Sequence, residues 1–169
     1  MAATIVLVLT ELRVFQPYEQ IAYRSAFQPR GTRPWSSDVV VIAIDDYSLN
    51  ELGQFPLPRR HYAELLTRLR QARPRVTVFN LFFSEPAEDD PVLAEAIAAS
   101  SYVVLAEAQT INGESLGLSL VLQDAAVETG HIQIDLQQNQ DGLVRSVQMQ
   151  VHGRFALGWV AVERFRQNA

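Results

Sequence analysis

Asp45, Asp46, Tyr47 and Ser48 follow directly on an apolar run at residues 39–44 (VVVIAI). Two carboxylates, a phenol and a hydroxyl in succession are oxygen donors suited to a divalent cation or a polar ligand. Ser84 and Glu85 stand at the end of a second apolar run at residues 76–83 (VTVFNLFF), and Glu107 follows a third at residues 102–106 (YVVLA). If the three runs are parallel strands, their carboxyl ends share one edge, outside which open α/β sheets bind ligands. The plainer role of Asp45 and Ser48 is to cap a short helical turn at residues 49–52, a position both residue types favour. Asn80 lies inside the second run, where a buried amide left unpaired would cost about 1–3 kcal/mol, so core structure and ligand contact are both open to it. Arg145 follows an Asp141-Gly142 turn and can pair with Asp141, an exposed contact worth little on its own.

Several chemistries are excluded outright. All 14 basic residues are arginine, and the chain has neither lysine nor cysteine. Walker-type phosphate loops, Schiff-base catalysis, thiol nucleophiles and thiolate zinc sites are therefore absent. The histidines His61, His131 and His152 are far apart, and none has a second ligand at metal spacing, so no cofactor is expected. A net charge of −5 over 169 residues argues against sequence-independent nucleic-acid binding.

The apolar runs set the elements. The first two are rich in β-branched and aromatic residues, as strands buried on both faces require. Between them, residues 59–72 place Tyr62, Leu65, Leu66, Leu69 and Ala72 on one helical face, and Pro74 ends the helix. Between the second and third, Asp89-Asp90-Pro91 opens a helix whose inward stripe is Leu93, Ala94, Ile97 and Ala98. Strand and helix in alternation predict right-handed crossovers. Farther on, residues 131–136 and 147–151 alternate apolar with polar, predicting an antiparallel hairpin joined through residues 137–142. A last helix is expected near residues 156–166, with Leu157, Val160, Ala161 and Phe165 inward. Residues 111–118 are expected to be a flexible loop. The fold class is thus α/β: a mixed sheet with a parallel βαβαβ centre, a C-terminal antiparallel hairpin, and flanking N- and C-terminal helices.

Charge is uneven. Residues 59–75 hold six arginines and one glutamate, and residues 84–95 hold five acids and no base. The two faces either pair with each other or, alternatively, the arginine face meets anionic headgroups or an acidic partner. No run of about 18 uncharged apolar residues occurs. The uncharged stretch at residues 2–10 is read either as a buried helix or as the tail of a transmembrane helix.

Together these residues resemble the second CHASE family, the cyclase/histidine kinase-associated sensory extracellular domains. The resemblance runs through Ile44-Asp45, Ser48-Leu49, Gly53 and Pro56-Leu57-Pro58-Arg59, then Phe83-Ser84-Glu85-Pro86, Asp90 with Leu93 and Ala94, Gly130, and Asp141-Gly142-Leu143-Val144-Arg145. Near the start, Phe15-Gln16-Pro17 and residues 19–23 are similar to the family's link from its first membrane helix. Asn80 stands where the family often has Asp, which removes a charge from any cation site built there. Phe55 and Leu57 stand at positions that are often other aromatic residues, and Arg24 where Asp is frequent.

The resemblance implies a non-catalytic extracytoplasmic domain, periplasmic or extracellular, of a bacterial membrane receptor. Residues 1–30 would be a juxtamembrane helical segment and residues 31–169 the sensor. An unidentified small ligand or ion would bind among Asp45, Ser48, Arg59, Asn80, Ser84, Glu85, Asp141 and Arg145, and a cyclase or histidine kinase would be the output. Partners would be the membrane, through flanking helices, and a second copy through the N-terminal helix. Two alternatives stand beside it: a dimerisation module that couples membrane helices without a ligand, and a carboxylate-metal hydrolase using Asp45, Asp46 and Glu85.

Overall fold

A computed structural model of the chain describes residues 16–110, 114–125, 128–134, 144 and 146–167. The chain divides into two units, Met1–Asp45 and Asp46–Ala169. In the first, helix α1 (Gln16–Arg30) falls within the expected N-terminal helical segment. The rings of Tyr23 and Phe27, one turn apart, stack at 4.3 Å, and the Arg30 guanidinium lies 4.1 Å over Phe27. Gly31 follows with φ +65°, the left-handed conformation that commonly ends a helix. The expected first strand is not a strand: residues 39–44 join no ladder, and Val39, Val40, Val41 and Ile42 are 52, 83, 67 and 52% exposed. A strand needs a neighbour for its backbone groups, and the described part of this unit contains no other extended segment to supply one. The stretch at residues 2–10 lies outside the described residues.

The second unit opens with α2 (Asp46–Leu52) and α3 (Arg59–Ala72). Of the predicted face of α3, Tyr62 and Leu66 are buried, Leu65 and Leu69 half-buried and Ala72 exposed, while Ala63, outside that face, is buried as well. Arg73 stops the helix by turning left-handed at φ 51°, its N–H returning to the Arg70 carbonyl. Strand β1 (Thr77–Phe79) runs parallel to β2 (Val103–Gln109), with α4 (Asp90–Ala98) as the crossover between them. The second crossover passes through the short strand β3 (Ser115–Leu116) and the single turn α5 (Leu120–Gln123) to β4 (Glu128–His131), which is parallel to β2 on its other side. The parallel βαβαβ centre therefore exists, built from the second and third apolar runs and a later strand. β3 pairs antiparallel with the end of β2, and Leu118 is buried, so the segment expected to be a flexible loop is partly ordered on the sheet; residues 111–113 lie outside the description.

The antiparallel hairpin is also real but shifted. It joins β5 (Gln150–Val151) to β6 (Arg154–Phe155) through His152 and Gly153, both at positive φ. Of the segment expected as its first arm, His131 ends β4 instead, paired in parallel with β2; residues 132–134 join no strand, and 135–136 lie outside the description. His131, expected on the wet face, is consequently 1% exposed. The final helix, α6 (Leu157–Gln167), buries Leu157, while Phe165 stays 40% exposed with the Arg75 guanidinium 4.9 Å from its ring.

The sheet has two covered faces. Phe79 and its register partner Leu105 face a core that includes Tyr62, Phe83, Leu66, Leu93 and Leu122. The rings of Tyr62, Phe79 and Phe83 meet edge-on at 5.2–6.1 Å, the favourable geometry for aromatic groups. On the opposite face Val104 and Ala106 pack on Leu157, with Val76, Ile132 and Val160 around them.

Candidate functional site

Arg59 is the first residue of α3, yet only 8% exposed. Its Nε donates to Asp90 Oδ1 at 3.1 Å, and a terminal nitrogen donates to the Glu85 carbonyl at 3.1 Å. Its guanidinium carbon lies 4.6 Å from the centre of the Phe83 ring. Asp90, the first residue of α4, uses Oδ2 to accept from the Ala87 N–H at 3.1 Å. The two helix starts and the loop between β1 and α4 are thus tied at one point. Arg60 and Asp89 form a second pair at 3.2 Å, so the arginine-rich and acid-rich segments do meet. Burial raises the pKa of the Tyr62 hydroxyl, opposed by a backbone hydrogen bond at Leu57 and by the charge of Arg59.

A second polar group lies at the carboxyl ends of the parallel strands. Glu107 near the end of β2 and His131 at the end of β4 are register partners, 3% and 1% exposed. Thr129 Oγ1 donates to Glu107 Oε2 at 2.8 Å, and Arg154 from β6 approaches Oε1 at 3.6 Å. His131 bridges to Ala156 in parallel fashion, which continues the sheet toward β6. Its Nδ1 accepts from the Gln133 N–H at 3.2 Å, a bond that assigns the ring proton to Nε2. Nε2 is buried and closes no hydrogen bond among the described residues. Burial lowers the pKa of the imidazole, and the Gln148 backbone opposes that by favouring the charged ring. The arrangement joins a carboxylate to a hydroxyl and a guanidinium, with an imidazole at the neighbouring register position.

The residues expected to bind ligand are scattered. Asp45 ends the first unit, and Ser48 lies inside α2, not at its cap. Asn80 follows the end of β1 and is exposed, so its amide carries no burial penalty. Ser84 and Glu85 are exposed in the next loop, and Glu85 meets Arg59 through its carbonyl. Asp141 and Arg145 lie outside the described residues. Among the described residues no three His, Cys, Asp or Glu gather to hold a metal ion. Glu107 was legible by its position after a strand. Thr129, His131 and Arg154 were not, and only the parallel register of β4 beside β2 would have found them.

The profile of the CHASE2 domain matches residues 1–169. No curated protein and no solved structure matches the chain. No helix among the described residues is long and apolar enough to cross a membrane. Matched over its whole length, the chain belongs to the CHASE2 family, the sensory extracellular domains found in receptors with cyclase or kinase outputs.

Proposed function

We propose that this chain is the signal-input domain of a bacterial transmembrane receptor, taking up a small ligand or ion outside the cytoplasm and regulating a nucleotide cyclase or histidine kinase inside it. Membership of a sensory family over residues 1–169 carries the reading. The buried Glu107 and His131, with half-buried Thr129 and exposed Arg154 beside Glu107, support it, because they lie at the edge where parallel sheets receive ligands. The Arg59–Asp90 tie serves as the frame that fixes the loops around the sheet. A ligand that prefers one of two domain states shifts their populations in proportion to its differential affinity. A thermal-shift screen of the chain against small acids, amines, sugars and divalent ions tests this. A true ligand at one hundred times its Kd stabilises by about 2.7 kcal/mol, and Glu107→Gln should diminish the gain. No stabilisation by any solute would count against ligand sensing.

One observation favours a second reading, a module that couples membrane helices by self-association. Val39, Val40, Val41 and Ile42 form an exposed apolar run outside any ladder, a surface open to pairing with another copy. Sedimentation of the wild-type chain and of Val40→Asp tests association through this run; equal masses would exclude that seam.

A further inference from the structure

We propose that the ends of β2, β4 and β6 form a proton-operated switch, in which protonation of the buried His131 exchanges its hydrogen bond with the Gln133 amide for an ion pair with Glu107, and so loosens Arg154 and the start of α6. The proposal rests on the input-domain reading for its biological use, and names the proton as a stimulus.

The geometry makes the two states incompatible. With neutral His131, Nδ1 needs a lone pair to accept from the Gln133 N–H at 3.2 Å. A proton from solvent arriving at Nδ1 consumes that lone pair, and two N–H groups then oppose each other. The Gln133 bond must break, and the imidazolium needs an acceptor. Glu107 is its register partner on the adjacent strand, about 5 Å away along the hydrogen-bonding direction and on the same sheet face. Its carboxylate, already accepting from Thr129, is then shared further between His131 and Arg154, whose present approach of 3.6 Å is loose.

β4 packs against β2, β6 and α6. On β2 the charged group is Glu107, and on β6 it is Arg154. On α6 they are Glu163, Arg164 and Arg166; Arg164 pairs with Glu128 of β4 itself, one residue out of phase with Thr129. Gly130 faces Leu157 of α6, so its neighbours Thr129 and His131 face away from that helix. His152, in the hairpin turn, is exposed. Within the described residues, then, protonated His131 has Glu107 as its acidic partner. Burial holds the ring below the ordinary histidine range, so the switch operates at a pH below that range. Arg154 lies two residues before Ala156, the bridge partner of His131, and Leu157 begins α6. A change at Glu107 therefore reaches the last helix within three residues.

NMR of the complete chain from pH 8 to pH 4.5 tests the proposal, following the imidazole C–H signals and the backbone amides. The His131 ring should titrate below the ordinary histidine range, and its signal should disappear in His131→Asn, whose Oδ1 can take over as acceptor for Gln133. The Gln133, Arg154 and Leu157 amides should move with the same midpoint, and should lose that transition in His131→Asn. Glu107→Gln should weaken proton uptake by His131 about tenfold. If His131 titrates without moving the Gln133 and Leu157 amides, or if those movements survive in His131→Asn, the switch is overturned. Should His131→Asn fail to fold, the wild-type titration and Glu107→Gln decide alone. A negative result here leaves the solute screen, and with it the input-domain reading, untouched.

Discussion

Asp90→Ala would leave Arg59 buried with no carboxylate opposite it. The Arg59 side chain is 9% exposed and that of Asp90 2%, so water cannot replace the lost partner. Breaking a buried pair from one side costs about 3–5 kcal/mol. The Glu85 carbonyl and the Phe83 ring still receive the guanidinium, which puts Asp90→Ala at about 3 kcal/mol. Arg59→Ala strands the carboxylate with the Ala87 N–H and also removes the contact with Phe83, which adds about 0.5–2 kcal/mol. Its cost should be about 4–5 kcal/mol. In a unit the size of Asp46–Ala169, each kcal/mol lowers Tm by roughly 3–6 °C. Urea unfolding followed by far-UV circular dichroism, at constant m value, measures these losses. The double change R59A/D90A should cost less than the sum of the two by at least about 2 kcal/mol, since the second removal relieves the charge stranded by the first. Arg59→Met with Asp90→Leu should return to within about 1 kcal/mol of wild type. Additive single costs, or an Asp90→Ala loss below about 1 kcal/mol, would refute the view that this pair ties the helix starts together.

Four further outcomes are expected. Gly130→Ala should destabilise by about 3 kcal/mol or more in thermal melts, because the new Cβ would lie 2.4 Å from Leu157 Cα and 2.7 Å from its nitrogen, backbone atoms that cannot swing aside. Phe83→Ala should cost about 3–5 kcal/mol and Phe82→Ala within about 0.5, since the first is 1% exposed and the second 48%. Arg73→Gly should stabilise by about 0.5–1 kcal/mol, because φ 51° at the end of α3 suits glycine better than a residue with a Cβ. His131 has a folded pKa below its unfolded value of 6.5, so the unfolded chain takes up the proton first as pH falls. Its contribution is complete above that value, declines below it, and levels off beneath the folded pKa. Urea titrations at pH 7.5 and 5.5 should lose more stability in wild type than in His131→Asn.

Helices proved more legible than strands. The period of Tyr62 and Leu66, and the Asp-Pro start of α4, are local signals that survive without knowledge of the rest of the chain. Strand pairing depends on a distant partner, and there the sequence misled twice. Residues 39–44 look more strand-like than any other segment, yet join no ladder. Glu128–His131 includes a glutamate, a glycine and a histidine and looks polar, yet sits inside the sheet. Alternation marks which residues share a face, but not which face meets water. Arg59 was named among the candidate ligand residues through the family motif; in the fold it is buried at the start of α3 and paired with Asp90. The Glu107 group became visible only with the register, since its members come from positions 107, 129, 131 and 154.

The near-contact of Gly130 with the backbone of Leu157 has a mechanical side. Where side chains separate two elements, a small shift is taken up by a change of rotamer and dies away. Here strand and helix meet main chain to main chain, and that cushion is missing. A movement of β4 by a few tenths of an ångström is therefore delivered to α6 in full. The helix has 11 residues and is about 16 Å long, so a tilt at Leu157 is amplified along it toward Gln167. One absent methyl group makes the sheet and its last helix a single lever.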